Sequence, residues 1–152
     1  MERRAGVAPG PARVITPALV GSLALFASLD DRALHAVAQD AADMHLNTGE
    51  YLVQEGDLVA FFVLLEGELE VTKEVGGALQ TLDTSPPGES FGELPLLLGT
   101  AATVNLRALG AARVMRLDGP DFMALLGHSE TLATTVMANM TRRVGNIQCA
   151  TL

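Results

Sequence analysis

The chain has 152 residues, of which 49% are hydrophobic, so it can form one domain with a substantial core, and general disorder is excluded. Its formal net charge of −8 argues against a nucleic-acid-binding surface, because such a surface needs clustered lysines and arginines. The lone cysteine, Cys149, cannot form an internal disulfide, and the apolar runs are too short to span a bilayer. We therefore expect a cytoplasmic protein that does not insert into membranes.

The N-terminal third of the chain is predicted to be helical after an irregular start. Residues 1–17 are rich in proline and glycine and are expected to form a flexible arm, followed by a domain over residues 18–148 and a tail over residues 149–152. Residues 19–29 form a short apolar segment that predicts a helix. Asp30 is expected to cap a second helix, in which Leu34, Val37, Ala38 and Ala41 repeat at helical spacing.

The middle of the chain has the pattern of short strands. The apolar period changes from residue 43, and strands are predicted at residues 51–53, 61–65, 69–71, 103–108 and 113–117. Glycines separate these segments, among them the pair Gly76 and Gly77, as is typical of tight corners. The pattern predicts a mainly-β fold, a double-stranded β-helix or jelly-roll barrel with flanking N- and C-terminal helices.

Two helices are predicted at the C-terminal end. Asp118 is expected to cap the first, Pro120 lies in its first turn, and Gly127 is expected to stop it. Ser129 is expected to cap a longer helix with an apolar stripe formed by Leu132, Val136, Met140, Val144 and Ile147. That stripe fits either packing on the sheet or dimerisation, and we favour a homodimer through helix 129–147.

The acidic residues and the histidines do not predict catalysis. Residues 49–100 contain ten acids and one base, Lys73, and most of these acids are interpreted as a solubilising face. His35, His45 and His128 are scattered without metal-ligand spacing, so no metal site is predicted. No nucleophile motif is present, so no catalytic residues are assigned and the chain is not expected to be an enzyme.

A family resemblance is carried by residues 87–103, which read PGESFGELPLLLGTAAT. Upstream stand Gly49-Glu50, Glu55-Gly56-Asp57 and, over residues 62–71, FVLLEGELEV. Together these segments resemble the cyclic-nucleotide-binding domains of protein kinase A regulatory subunits and of bacterial catabolite-activator-type regulators, over roughly residues 19–147. The resemblance implies a regulatory domain whose ligand is cAMP, cGMP or a related small molecule.

Parts of the chain look similar to one subgroup, the domains fused ahead of thioredoxin-reductase-like flavoenzymes. These parts are EVTK at residues 70–73, FGELPLLLGT, and the run from Arg113 to Arg116. The similarity implies a partner or fused enzyme domain. A DNA-binding regulator is not expected from this chain alone, because no helix-turn-helix follows the last predicted helix.

The resemblance also implies a set of pocket residues, which are Phe91, Gly92, Glu93, Leu94, Ala102 and Thr103. In the family, a short helix beginning near Gly92 directs backbone N–H groups at the cyclic phosphate, and the following glutamate, here Glu93, accepts from the ribose 2′-hydroxyl. An arginine that pairs with the phosphate comes later. The alternative interpretation is that Glu93 is an acid favoured by the helix dipole.

This sequence departs from the family at the phosphate. Ala101 and Ala102 stand where the family has Pro-Arg, and the alternative alignment, a two-residue deletion, also removes the arginine. Pro95 replaces the usual alanine and has no N–H to donate. Arg107 is expected to face away from the pocket. The sequence therefore predicts weak or lost cAMP binding. The alternative is a degenerate scaffold used for dimerisation or for docking to a partner enzyme domain.

Overall fold

The computed structural model describes residues 6–7 and 15–151 of the chain, with side chains described for residues 15–142. Its strands are β1 (Gly6–Val7), β2 (Ala42–Leu46), β3 (Tyr51–Val53), β4 (Phe61–Glu66), β5 (Leu69–Val75), β6 (Ala78–Ser85), β7 (Ser90–Phe91), β8 (Asn105–Ala108) and β9 (Ala112–Leu117). Its α-helices are α1 (Pro17–Ser22), α2 (Asp31–Asp40), α3 (Glu93–Leu98), α4 (Gly119–His128) and α5 (Glu130–Thr151), with a 3₁₀ turn at Ala24–Phe26.

The strands form two antiparallel sheets. One has the order β1-β2-β9-β4-β7 and the other the order β3-β8-β5-β6. Their connections cross between the sheets, as in a jelly roll, and helices flank the roll at both ends of the chain. The mainly-β, helix-flanked fold predicted from the sequence is confirmed. Over the described residues the strands remain divided between two sheets and do not join in one closed barrel.

Strand β4 connects the two halves of the core, because its side chains alternate between the two faces of its sheet. Phe62 and Leu64 belong to the cluster inside the roll. Phe61 and Val63 belong to the cluster between this sheet and the helices. Phe61 stacks on Phe122 of α4 with ring centroids 4.2 Å apart and meets Phe26 edge-on at 6.3 Å. This aromatic cluster fixes α4 and the 3₁₀ turn on the outer face of the sheet.

A partly buried ion pair joins β2 to β9. The guanidinium of Arg113 donates from Nε to Asp43 at 2.9 Å and from Nη2 at 3.0 Å, and it also approaches Glu66. The hydrogen bonds to Asp43 raise the pKa of Arg113 above its usual value, against the opposing effect of burial. Part of the run from Arg113 to Arg116 thus has a structural role within this fold.

The N-terminal predictions need correction. Within the predicted arm, Gly6–Val7 forms a strand paired with β2, and Pro17 begins α1. The other arm residues, 1–5 and 8–14, lie outside the described residues. The single helix predicted at residues 19–29 is wrong, because Leu23 has an extended backbone that separates α1 from the 3₁₀ turn. The Asp30 cap is confirmed, since its carboxylate accepts from the Ala33 N–H at 2.8 Å.

Strands β2 and β6 were not predicted. Strand β6 is mostly exposed over its length, so it carries no apolar alternation to detect. It forms a hairpin with β5 across Gly76 and Gly77, both of which have positive φ. Such a pair of glycines is typical of a tight hairpin turn.

The helix boundaries near the C-terminal end differ from the prediction. Asp118 stands at the cap position of α4, but its carboxylate makes no cap bond and pairs with Arg116 at 3.1 Å. Gly127 does not stop α4, which continues to His128. The break falls at Ser129, whose φ is −136° and whose hydroxyl accepts from the Leu132 N–H, so the predicted cap of α5 is confirmed. Helix α5 runs to Thr151, through most of the predicted tail.

The apolar stripe of α5 packs within its own domain. Leu132 and Val136 are fully buried in the cluster that contains Phe26 and Phe61. Of the two interpretations of the stripe, packing on the sheet holds for Leu132 and Val136, which are therefore not available as contacts to a second copy. The side chains of Val144, Ile147 and Cys149 lie outside the described residues. A dimer through α5 remains a prediction, and among the described residues it would use the exposed side of the helix around Met137.

Candidate ligand-binding site

A cavity opens where the interior of the roll meets α3. It measures about 70 Å³, well below the roughly 300–1,000 Å³ of ordinary ligand pockets. All six residues predicted for the pocket line it, which are Phe91, Gly92, Glu93, Leu94, Ala102 and Thr103. The structure thus brings together the start of α3 and the segment that follows its end, and the role of these residues in ligand binding remains a prediction.

Gly92 fixes the sharp turn from β7 into α3. Its φ is +90°, a left-handed conformation that side chains rarely adopt. A Cβ atom at this position would lie 2.0 Å from the carbonyl oxygen of Ala60. Only glycine fits both the conformation and this close approach, so the turn is held against the end of the β3–β4 loop.

Glu93 directly follows this turn and is almost completely buried. Its Oε2 accepts a hydrogen bond from the Ser90 hydroxyl at 2.7 Å, and Ser90 is itself fully buried. A buried carboxylate is costly unless polar groups surround it, and here one hydroxyl is built into the preceding strand to meet it. The site therefore holds a fixed acceptor inside a mostly apolar cavity.

Pro95 lies in the first turn of α3, whose N–H groups have no partner within the helix. A proline there costs no helical hydrogen bond, which explains why the helix tolerates it. It also leaves this lining residue without an N–H that could donate to a ligand. The predicted loss of a donor at this position is therefore consistent with where Pro95 lies, on the lining of the cavity.

Ala102 is buried, and its backbone is held by two hydrogen bonds. Its N–H donates to the Asp57 carbonyl, and its carbonyl accepts from the Gly56 N–H, both at 2.9 Å. Its methyl group stands on the cavity lining. Ala101, one residue earlier, is exposed and does not line the cavity. Position 102 is thus the one from which an added side chain would reach the cavity.

Thr103 is exposed at the rim, where a lysine is already engaged. Lys73 donates to the Thr103 carbonyl at 2.7 Å and to Glu55 at 3.2 Å. Arg107 does not line the cavity, as expected, and its guanidinium lies 5.9 Å from the centre of the Tyr51 ring. Among the described lining residues there is no lysine or arginine.

The rest of the lining is apolar, and sequence reasoning did not assign it. These residues are Val53, Val59, Phe62, Val71, Val104, Leu106 and Met140. Period-two alternation on β4 and β5 could have placed Phe62 and Val71 inside the roll. Met140 belongs to α5, and no local pattern connects it with a cavity formed some 40 residues earlier in the chain.

Helix α5 also reaches the site through an ion pair. Arg142 donates from Nη2 to both carboxylate oxygens of Glu89, at 2.9 and 3.2 Å. Glu89 directly precedes Ser90 and therefore lies at the start of the site segment. Both side chains are partly exposed, so the pair is worth about 0–1 kcal/mol and is easily released.

The described part of the chain shows neither a metal site nor a membrane-spanning helix. Among residues 15–142, whose side chains are described, no three acidic, histidine or cysteine side chains come together in a way that could hold a metal ion. In residues 6–7 and 15–151, none of the helices combines the length and apolar character needed to cross a bilayer.

Comparison with protein-family models identifies the domain. The model described as the cyclic nucleotide-binding domain matches residues 43–129, more than half of the chain. The chain belongs to this family. The matched segment of this cyclic nucleotide-binding domain ends at the break between α4 and α5, and it contains every residue of the cavity lining except Met140.

Known relatives carry this domain within longer proteins. The cAMP-dependent protein kinase regulatory subunit of Schizosaccharomyces pombe is 29% identical over 118 residues, which is 77% of this chain and 28% of that protein. The solved structure of cAMP-bound PfPKA-R has a TM-score of 0.75 at 22% identity, covering 87% of this chain and 45% of that one. The chain thus spans less than half the length of either relative.

A third comparison concerns a regulatory subunit with a different ligand. The regulatory subunit of a cAMP-independent protein kinase A from Trypanosoma cruzi, solved bound to guanosine, has a TM-score of 0.70 at 18% identity. The match covers 79% of this chain and 43% of that one. At this level of identity the two proteins share a fold, and nothing about ligands follows from that.

Proposed function

We propose that this domain is a regulatory ligand-sensing module that binds cAMP weakly or not at all and passes pocket occupancy to helix α5. The observation that carries the proposal is the lining of the cavity. It has the family's glycine turn and glutamate, but among its described residues it has no cation to meet a phosphate. The regulated partner, as in the kinase subunits, is a separate or fused protein domain.

The expected loss of cAMP affinity can be estimated from the missing arginine. Leaving a buried phosphate without its arginine partner costs about 2–5 kcal/mol. That cost corresponds to a loss of roughly 30-fold to several-thousand-fold in affinity. Pro95 removes a further donor. Lys73, a nearby cation, does not readily replace the missing arginine, because it is already bound to Glu55 and to the Thr103 carbonyl.

We expect Ala102→Arg to raise the affinity for cAMP by at least about tenfold, and the addition of Pro95→Ala to raise it further. The arginine would extend from a buried position on the cavity lining, the one where the resemblance places the family's arginine. Isothermal titration of the wild-type and variant proteins with cAMP at moderate salt measures the effect.

Ala101→Arg is the matched control for this prediction, because the same charge is added one residue away at an exposed position outside the cavity. It should leave cAMP binding unchanged. Micromolar binding by the wild-type protein would contradict the proposal, and equal gains from the two arginine variants would contradict the assignment of position 102.

Hydrogen exchange can show whether ligand binding in the cavity alters helix α5. Met140 lines the cavity and Arg142 binds Glu89, so a ligand that fills the pocket must disturb α5. With cAMP bound to the Ala102→Arg/Pro95→Ala variant, we expect protection to change at amides in residues 92–103 and 127–132. The second range spans the break at Ser129, where backbone change is most easily absorbed. A change confined to the first range would mean binding without signalling through α5.

The second candidate function is a scaffold that has kept the fold for dimerisation or docking. One specific observation favours it: Met137 is 60% exposed on the outer side of α5. An apolar side chain at this position is available to a second copy or to a partner domain. If no ligand binds to the wild type or to the arginine variants, this function becomes the better explanation.

A further inference from the structure

We propose that the groove between α2 and α4 is a docking site for a short amphipathic helix of a partner protein, one with apolar side chains on one face and lysines or arginines beside them. The inference concerns a different surface from the cavity at α3, and it stands whether or not that cavity binds a ligand. It is carried by the size of the groove, by the helical faces that line it and by its charge.

The α2–α4 groove is much larger than the cavity at α3. It measures about 680 Å³, within the roughly 300–1,000 Å³ of ordinary binding pockets. Its lining comes from α2, from α4, from the segment that leads into α2, and from Leu117 at the end of β9. Among the described residues, none lines both the groove and the cavity. The groove is therefore a separate surface of the domain.

Each of the two helices presents one face to the groove. The lining residues of α4 follow the i, i+3, i+4, i+7 spacing of a single helical face, and they are Asp121, Ala124, Leu125 and His128. The lining residues of α2 include a set with the same spacing that begins at Ala33 and ends at Asp40. Two helical faces thus border one open space, which is the arrangement that receives a third helix in helix-in-groove recognition.

The lining combines a buried apolar floor with exposed small side chains. Val37, Leu117 and Leu125 are buried and form the floor. Ala36 and Ala124 are exposed, and their methyl groups leave access to the floor from outside. A small molecule is usually enclosed over most of its surface, which such exposed walls do not provide. A helix laid along the groove can instead place its own apolar side chains on the floor.

The charge of the lining favours a cationic partner. The groove is lined by three carboxylates, those of Asp30, Asp40 and Asp121, by the guanidinium of Arg32 and by the imidazole of His128. The Asp30 carboxylate caps α2, but within residues 15–142 neither of the other two carboxylates takes part in an ion pair. Lysines or arginines beside the apolar face of a partner helix would complement them and fix its register.

Asp40 is placed against a local rule of helix stability. It is the last residue of α2, which has no basic residue in its last turn. The partial charge at this end of a helix is negative, so an acid here destabilises the isolated domain. Conflicts of this kind are typical of functional positions. A cation supplied by a partner helix would remove the conflict, so the position of Asp40 supports docking at this end of the groove.

The test uses the full chain and a synthetic peptide of about 14 residues, long enough to form some helix alone. The peptide is built from leucine, alanine and lysine, with leucines at i, i+3, i+4 and i+7 and lysines beside them. We expect it to bind with a dissociation constant of about 100 μM or lower and to shift backbone NMR signals in residues 28–40 and 117–129. A peptide with glutamate in place of each lysine should bind at least about tenfold more weakly.

Asp40→Lys should lower the affinity for the basic peptide at least about tenfold. It should also raise the unfolding temperature of the free protein, because a cation suits the end of α2. Weaker binding by a more stable protein cannot be attributed to loss of the fold. Glu68→Lys is the matched control, since it makes the same change of charge at an exposed position outside the groove. It should alter the affinity by no more than about twofold at moderate salt.

Three results would overturn the proposal. The first is no binding of the basic peptide at about 1 mM. The second is an equal loss of affinity in the Asp40→Lys and Glu68→Lys variants, or NMR shifts outside the groove, which would indicate unspecific attraction to an acidic protein. The third is self-association of the wild type that Asp40→Lys abolishes, which would place a second copy in the groove. None of these measurements involves cAMP, so any of the three leaves the sensing function untouched.

Discussion

Gly92→Ala is expected to lower the free energy of unfolding by about 3 kcal/mol or more, because two separate costs fall on one position. The backbone at φ +90° is strained for any residue with a side chain. In addition, the new methyl group would meet the Ala60 carbonyl oxygen at 2.0 Å, a backbone atom that cannot rotate away. The turn must therefore shift, and Glu93 shifts with it.

Gly88→Ala is the matched control for this prediction. Gly88 has a φ of +97°, close to that of Gly92, but a Cβ atom there would meet nothing within 4 Å. Its substitution should cost only the backbone strain, about 1–2 kcal/mol. Urea unfolding of the three proteins measures the difference. Equal losses for the two variants would show that the approach to Ala60 is not a constraint.

Val136→Asp is expected to lower the free energy of unfolding by about 4 kcal/mol or more, which is enough to unfold many domains of this size. Val136 is fully buried among Phe26, Phe61 and other apolar side chains, and nothing in that cluster can pair with a carboxylate. The expected result is a low, broad thermal transition, or none at all, by circular dichroism. A native-like transition would mean that α5 does not pack on the sheet in solution.

Met137→Asp places the same charge one residue further along the same helix, where the side chain is 60% exposed. It should change the stability of the isolated domain by no more than about 0.5 kcal/mol. If a dimer forms through the exposed side of α5, this variant should be a monomer in sedimentation experiments at tens of micromolar. A wild-type monomer at that concentration would remove the dimer prediction.

The parts of the fold that could be predicted are those fixed by short-range chemistry. Asp30 and Ser129 are caps that act within three residues, and the structure confirms both. The pocket residues were predicted from a family resemblance. At Gly92 the structure shows why the family motif has a glycine. A positive φ and a close backbone contact leave glycine as the only choice there.

What could not be predicted depends on contacts between distant parts of the chain. Strand β6 pairs through its backbone while most of its side chains are exposed, so the sequence shows no alternation. The stripe on α5 was ambiguous because packing on the sheet and dimerisation need the same apolar spacing. Met140 was placed on that stripe, and only the tertiary fold shows that it lines the cavity.

On one side, strand β4 stands between the cavity and the helices that pack on Phe61 and Val63, and this limits how ligand analogues can be modified. Phe62 lines the cavity, and its neighbours Phe61 and Val63 are fully buried beneath the helices. Strand β4 therefore has no space behind it into which Phe62 could move. Thr103 also lines the cavity, and it is exposed to solvent. A fluorescent tag or an affinity linker should therefore be attached to the part of the ligand that points towards Thr103. A substituent directed at Phe62 would have to displace the aromatic cluster behind it.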